Sequence, residues 1–159
     1  MRDGALVVRF DGRDEATVAT LRGRDEPLWR EDVYEVFVSP LDPPTVYYEF
    51  EINPLGALFD ARVTSPDLVR ATMNADAAWN LPGLSGKTRL RPGRWSATLT
   101  IPMAPMLEGQ GAPSKWRANF YRVDRGTGSA ADEFSAWSPI GKEPADFHEA
   151  RRFGCLTLI

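Results

Sequence analysis

The run Val46-Tyr47-Tyr48-Glu49-Phe50-Glu51-Ile52-Asn53 alternates strictly. Val46, Tyr48, Phe50 and Ile52 share one side of an extended chain, and Tyr47, Glu49, Glu51 and Asn53 share the other. The first side reads as core. The second offers an aromatic, two acids and an amide. Glu35 adds a third acid from an earlier run, where it shares a side with Val33 and Phe37. A carboxylate among such apolar neighbours is costly unless something partners it. Each acid alone could simply face solvent. As a group they have the chemistry of a polar floor for sugars, in which carboxylates and amides exchange hydrogen bonds with vicinal hydroxyls and aromatic faces cover C–H surface.

Bond cleavage is a poorer fit. Glu49 and Glu51 stand about 6.8 Å apart along a strand, within the roughly 5–9.5 Å that separates glycosidase carboxylates. Those acids must flank the scissile bond, however, and two neighbours on one strand face approach it from one side. No G-x-S-x-G is present, and the one histidine, His148, lies near the end of the chain. With one cysteine, Cys155, no internal disulfide can form, and Cys-based and two-His zinc motifs are excluded.

Trp29 sits in Asp25-Glu26-Pro27-Leu28-Trp29-Arg30-Glu31-Asp32, a charged, turn-prone loop just before a strand-like run. An aromatic there is either a recognition residue or one folded back onto the sheet edge. Trp95 and Trp116 read as core by their alternation, and Trp137 as core or rim.

The elements that must position these residues are almost all strands. Ala5–Phe10, Val33–Val38, Val46–Asn53, Thr88–Arg91, Trp95–Ile101, Trp116–Val123, Phe134–Ser138 and Phe153–Ile159 read as β, as does a return at Leu58–Val63. Asn53-Pro54-Leu55-Gly56 and Pro92-Gly93 are hairpin turns. Helical candidates are short: 66–71, 105–108 and 146–151. The expectation is a single all-β domain over residues 1–159, an antiparallel β-sandwich of jelly-roll or immunoglobulin-like type with short helical turns. No GxGxxG or GxxxxGK[ST] suggests a nucleotide.

Composition agrees. The chain has 159 residues, 43% hydrophobic and 26% charged, with 13 Gly and 13 Pro to serve many turns. A net charge of −3 argues against nucleic acid as a partner. No apolar run approaches the roughly 18 residues of a membrane span. Met1-Arg2-Asp3-Gly4 lacks the basic and apolar regions of a secretion signal. A cytoplasmic location is therefore expected for the chain as it stands, and an extracellular one if the start is incomplete.

The segment Leu28-Trp29-Arg30-Glu31-Asp32-Val33-Tyr34-Glu35-Val36-Phe37-Val38 resembles the W-x-x-D-x-x-E-[IV]-F signature of family 9 carbohydrate-binding modules and their DOMON-like relatives. The resemblance continues in order through Tyr47–Asn53, Trp95–Pro102, Trp116–Phe120, Ala136-Trp137-Ser138 and Phe153-Gly154-Cys155-Leu156-Thr157-Leu158. It implies a non-catalytic β-sandwich that binds the end of a glucan or xylan chain, or a small saccharide. Two aromatics that sandwich one sugar match Trp29 and Phe147, and the binding carboxylate matches Glu35. Polar residues of the next strand fall at Glu49, Glu51 and Asn53. His148, next to Phe147, is either a rim hydrogen-bonding group or a plain surface residue.

The departures from the family pattern also carry expectations. Phe147 replaces the more usual Trp and offers less stacking area. Glu51 stands where some members carry a binding arginine, which inverts the local charge and alters the sugar expected. The family usually has one or two further strands ahead of the segment matching Ala5–Phe10, and their absence from this sequence implies a shortened member, a start set too late, or a partner such as a second copy at an uncovered sheet edge. Some members hold structural calcium, but its ligands cannot be matched here and no cofactor is expected. A haem-binding DOMON reading needs axial ligands such as Met and His. It has only His148 with Met73, Met103 and Met106, and the last two read as packing. A degenerate interaction domain and an accessory module of a glycoside hydrolase system are the alternative functions.

Overall fold

The structure, a computed structural model, describes residues 4–158. Its strands are β1 (Ala5–Arg13), β2 (Val33–Ser39), β3 (Val46–Ile52), β4 (Leu58–Thr64), β5 (Asn74–Asp76), β6 (Ser85–Arg91), β7 (Arg94–Pro102), β8 (Lys115–Asp124), β9 (Glu133–Ala136) and β10 (Gly154–Thr157). Helical structure is confined to single 3-10 turns at Leu28–Arg30, Arg70–Thr72, Ala104–Leu107 and Ala150–Arg152. The expected closing strand is found as β10, and its last expected residue, Ile159, lies outside the described residues.

All pairings are antiparallel and form two sheets. The smaller runs β1-β7-β6, and the larger runs β10-β8-β2-β3-β4-β5, with β9 also paired to β8. β9 and β10 share one edge of β8 end to end: β10 pairs Lys115–Ala118 and β9 pairs Tyr121–Asp124. Gly56 and Gly93 take positive φ of 83° and 72° in the turns that join β3 to β4 and β6 to β7, a conformation that costs glycine little.

The sheets bury their facing sides as alternation demands. Tyr34, Val36, Val38, Tyr48, Phe50 and Ile52 of the larger sheet meet Trp95, Ala97, Leu99 and Ile101 of the smaller, and Trp116 and Ala118 extend the cluster. Trp95 and Trp116 are both core, as expected. A large apolar side chain fully removed from water contributes on the order of 2–3 kcal/mol.

The second side of β3 corrects the sequence reading. A polar floor for sugars, or a solvated face, would leave this side concave or open, yet Tyr47, Glu51 and Asn53 are fully buried and Glu49 nearly so. The outer face of the larger sheet carries two further apolar clusters. One gathers Leu28, Val33, Phe59, Ala61 and Val123, and the other Phe37, Tyr47, Val63, Tyr121 and Phe153. Segments from the loops before β2, after β4 and after β9 pack over them, through Leu21, Leu68, Met73, Ile140 and Phe147. Alternation marks which residues share a side but not what covers that side.

Candidate functional site

One row of directly paired residues crosses four strands of this roofed face. Tyr121 of β8 stands opposite Glu35 of β2, Glu35 opposite Glu51 of β3, and Glu51 opposite Phe59 of β4. At about 4.8 Å between strands, the row spans about 14 Å. Its order is aromatic, acid, acid, aromatic. Phe147 stacks flat on Tyr121, with ring centroids 4.1 Å apart and planes 10° apart, while Trp29 meets Phe59 edge-on at 5.3 Å. The two rings singled out in sequence therefore rise from opposite ends of one acid-centred row.

Between them lies a cavity of about 410 Å³, lined among others by Trp29, Glu35, Glu49, Phe59, Phe147 and His148. That size falls in the about 300–1,000 Å³ range of small-ligand sites. Trp29 is 43% exposed, so its ring is free to meet a ligand.

Each wall is held by specific bonds. The Tyr121 hydroxyl donates to the Phe147 carbonyl at 2.9 Å, fixing that segment above its own ring. Arg125 donates from one guanidinium nitrogen to the Trp29 carbonyl and from another to Asp132 at 2.5 Å. The Asp32 carboxylate accepts from the backbone N–H of Val18 at 2.6 Å and of Arg125 at 2.7 Å. It thus ties the segment before Trp29 to the end of β8. Burial, with Asp14 and Asp124 nearby, pushes the Asp32 carboxyl up to about 6 against the two amides that favour its charge.

Glu35 and Glu49 reach the cavity, while Glu51 lies beneath its lining. Burial and neighbouring carboxylates hold Glu35 and Glu51 well above the usual carboxylate range, and burial pushes Glu49 up to about 7. Asn53 has a different job. Its side chain donates to the Leu21 carbonyl at 2.8 Å and accepts from the Leu55 and Ala57 amides, so it builds the β3–β4 turn instead of the floor.

His148 is not a plain surface residue. Its Nδ1 lies 2.8 Å from the Tyr47 hydroxyl, and its Nε2 faces Glu49 at 3.9 Å, beyond hydrogen-bond reach. Burial lowers its pKa to about 4, so the ring is neutral near pH 7.

Sequence reasoning missed Phe59, Arg70, Arg125, Phe134 and Asp146, all on the cavity wall. Phe134 is 44% exposed, packs edge-on to Phe147 at 6.1 Å, and carries the Arg125 guanidinium 5.4 Å from its ring centre. A lone Phe beside Asp132-Glu133, after a Gly/Ser-rich loop, is a signal of the same kind as Trp29. Arg70 and Asp146 gave none. They come from loops far apart in sequence and approach one another at 4.0 Å.

The fold is a two-sheet antiparallel sandwich with an aromatic-walled, acid-floored cavity on one outer face. The chain belongs to carbohydrate-binding family 9, whose family model matches residues 1–158. This is a family of non-catalytic modules, and the chain is a carbohydrate-binding domain, not an enzyme.

It is 31% identical to an "Extracellular protein" of Arthroderma benhamiae over 97% of this chain and 73% of that one. A candidate carbohydrate-binding protein from Bacteroides uniformis superposes with a TM-score of 0.77 at 24% identity, over 96% of this chain and 72% of the other. A family 9 module from Caldicellulosiruptor kristjanssonii, solved with glucose, gives a TM-score of 0.63 at 13% identity, over 99% of this chain and 72% of that one. The same module solved with cellotriose gives 0.62 at 13% identity, over 98% and 69%. At these identities the solved structures establish the fold.

Proposed function

We propose that the cavity receives the end of a glucan or xylan chain, or a small saccharide, with Trp29 and Phe147 covering the faces of one sugar ring. Glu35 and Glu49 accept from its hydroxyls, and the neutral His148, whose Nε2 faces the Glu49 carboxylate, hydrogen-bonds at the rim. The observation that carries this reading is the Tyr121–Glu35–Glu51–Phe59 row with Phe147 and Trp29 mounted on its two ends. The glucose and cellotriose complexes of the Caldicellulosiruptor module support a glucose-type ligand. Glu51 and Asn53 serve the site from beneath and beside it, without touching sugar.

A glycan array on the whole chain, followed by calorimetry with the best saccharide, tests this. Saturable binding that weakens in Trp29→Ala and in Phe147→Ala is expected. Binding to no glycan, or binding untouched by both variants, would reject it and restore the interaction-domain reading.

A further inference from the structure

The least satisfied group near the cavity is Glu51. Both of its carboxylate oxygens are buried with no hydrogen-bond partner. The Glu49 carboxyl lies near enough to raise its pKa and the Trp29 backbone N–H near enough to oppose that rise, but neither closes a bond to it. Glu35 faces it directly across the β2–β3 ladder, an arrangement of like charges that destabilises a sheet. Glu49, two residues along on the same side, completes a group in which one oxygen from each carboxylate lies within 4.8 Å of the others.

Arg125 and Arg70 favour the charged forms of Glu35 and Glu49 from a distance, but among the described residues no cation bonds to any of the three and none acts on Glu51. Arg125 is committed to Asp132 and the Trp29 carbonyl, and Arg70 leans toward Asp146 and Met73. A sugar in the cavity could meet Glu35 and Glu49 but not Glu51, which does not line it. What would satisfy all three is something small lying between them.

We propose that Glu35, Glu49 and Glu51 bind one hard divalent cation, of the calcium or manganese class, in the floor of the cavity. The donor set is oxygen only, which selects such ions over zinc or copper. Oxygens about 2.3–2.6 Å from a shared ion lie no more than about 5 Å from one another, as these do. Three carboxylates leave several positions of a six- to eight-coordinate ion open. The open side faces the cavity, where water or vicinal hydroxyls complete the shell. The site stands on the carboxylates alone and does not depend on the sugar reading.

The test is a titration of the whole, EDTA-treated chain with calcium chloride and with manganese chloride, without saccharide, by calorimetry. Terbium luminescence excited through tryptophan gives a second readout, since Trp29 lies on the cavity wall. Saturable binding of one ion per chain is expected, weakened at least tenfold in Glu51→Gln and in Glu35→Gln. Either variant suffices if the other fails to fold.

No saturable binding of either ion to the wild-type chain overturns the proposal and leaves protons as what the three carboxyls share. Unchanged binding in the folded variants also overturns it, because the ion then sits elsewhere. Sugar binding measured separately, with and without EDTA, keeps failure of the metal site distinct from failure of the saccharide site.

Discussion

Glu35 and Glu51 are direct cross-strand partners on β2 and β3, and both are buried. Two facing buried acids, of which only Glu35 feels a cation, the distant Arg125, weaken the ladder that positions the site. In the presence of a chelator, Glu51→Gln should therefore be more stable than the wild type. The amide cannot ionise, so it carries no desolvation cost of a buried charge, and it can donate to the facing carboxyl. A gain of about 1 kcal/mol corresponds to about 2–4 °C in a domain of this size. Thermal melts in EDTA check this, and a variant melting several degrees below the wild type would contradict it.

Phe147 should have a double effect. It stacks on Tyr121 and packs into both outer clusters. Phe147→Ala should thus weaken saccharide binding about tenfold and also cost about 1–3 kcal/mol of stability. Denaturant unfolding and calorimetry on the same preparation separate the two. Lost affinity with unchanged stability would mean that the ring does not pack as described.

Asp32 couples the Trp29 loop to β8 through two backbone amides. Asp32→Asn leaves one amide facing a donor, so Trp29 should loosen and saccharide affinity should fall several-fold.

The same residue gives a pH signature. Its carboxyl is raised to about 6 in the folded chain, against an ordinary value near 4. Between those values the folded chain holds a proton that the unfolded chain has lost. Stability from this group is full below about pH 4 and is lost as pH rises through about 6. The wild type's advantage over Asp32→Asn should shrink across that window. A difference that is flat or growing from pH 4 to pH 7 would contradict it.

Much of this was legible in the chain. The strict alternation of Val46–Asn53 and Trp95–Ile101 located the core face, because a one-residue slip would have reversed it. Trp29 stood out because a large aromatic in a charged loop has no packing reason visible in sequence. The roof was not legible. Tyr47, Glu49 and Glu51 alternate alike whether water or loops cover them, and only tertiary packing brings Leu21, Met73 and Phe147 over that side. Asn53 misled for a related reason. Its place in the alternation put it on the floor, but at a strand end its amide serves the turn. The opposition of Glu35 and Glu51 needed the β2–β3 register, which the chain alone left open.

Trp29→Ala is the most direct test of the central claim. Stacking one ring on a pyranose removes about 60 Å² of apolar surface from water, or roughly 1.5 kcal/mol at about 25 cal/mol/Å². That is about tenfold in affinity, against an expected Kd on the order of 10 µM to 1 mM. Trp29 is half-exposed and its ring meets the sheet edge-on at Phe59, so the fold should not depend on that ring. Calorimetric titration of wild type and Trp29→Ala with the saccharide chosen by the array should show at least a tenfold loss at an unchanged melting temperature. Equal affinity in the two proteins, or a variant that no longer folds, would contradict the account.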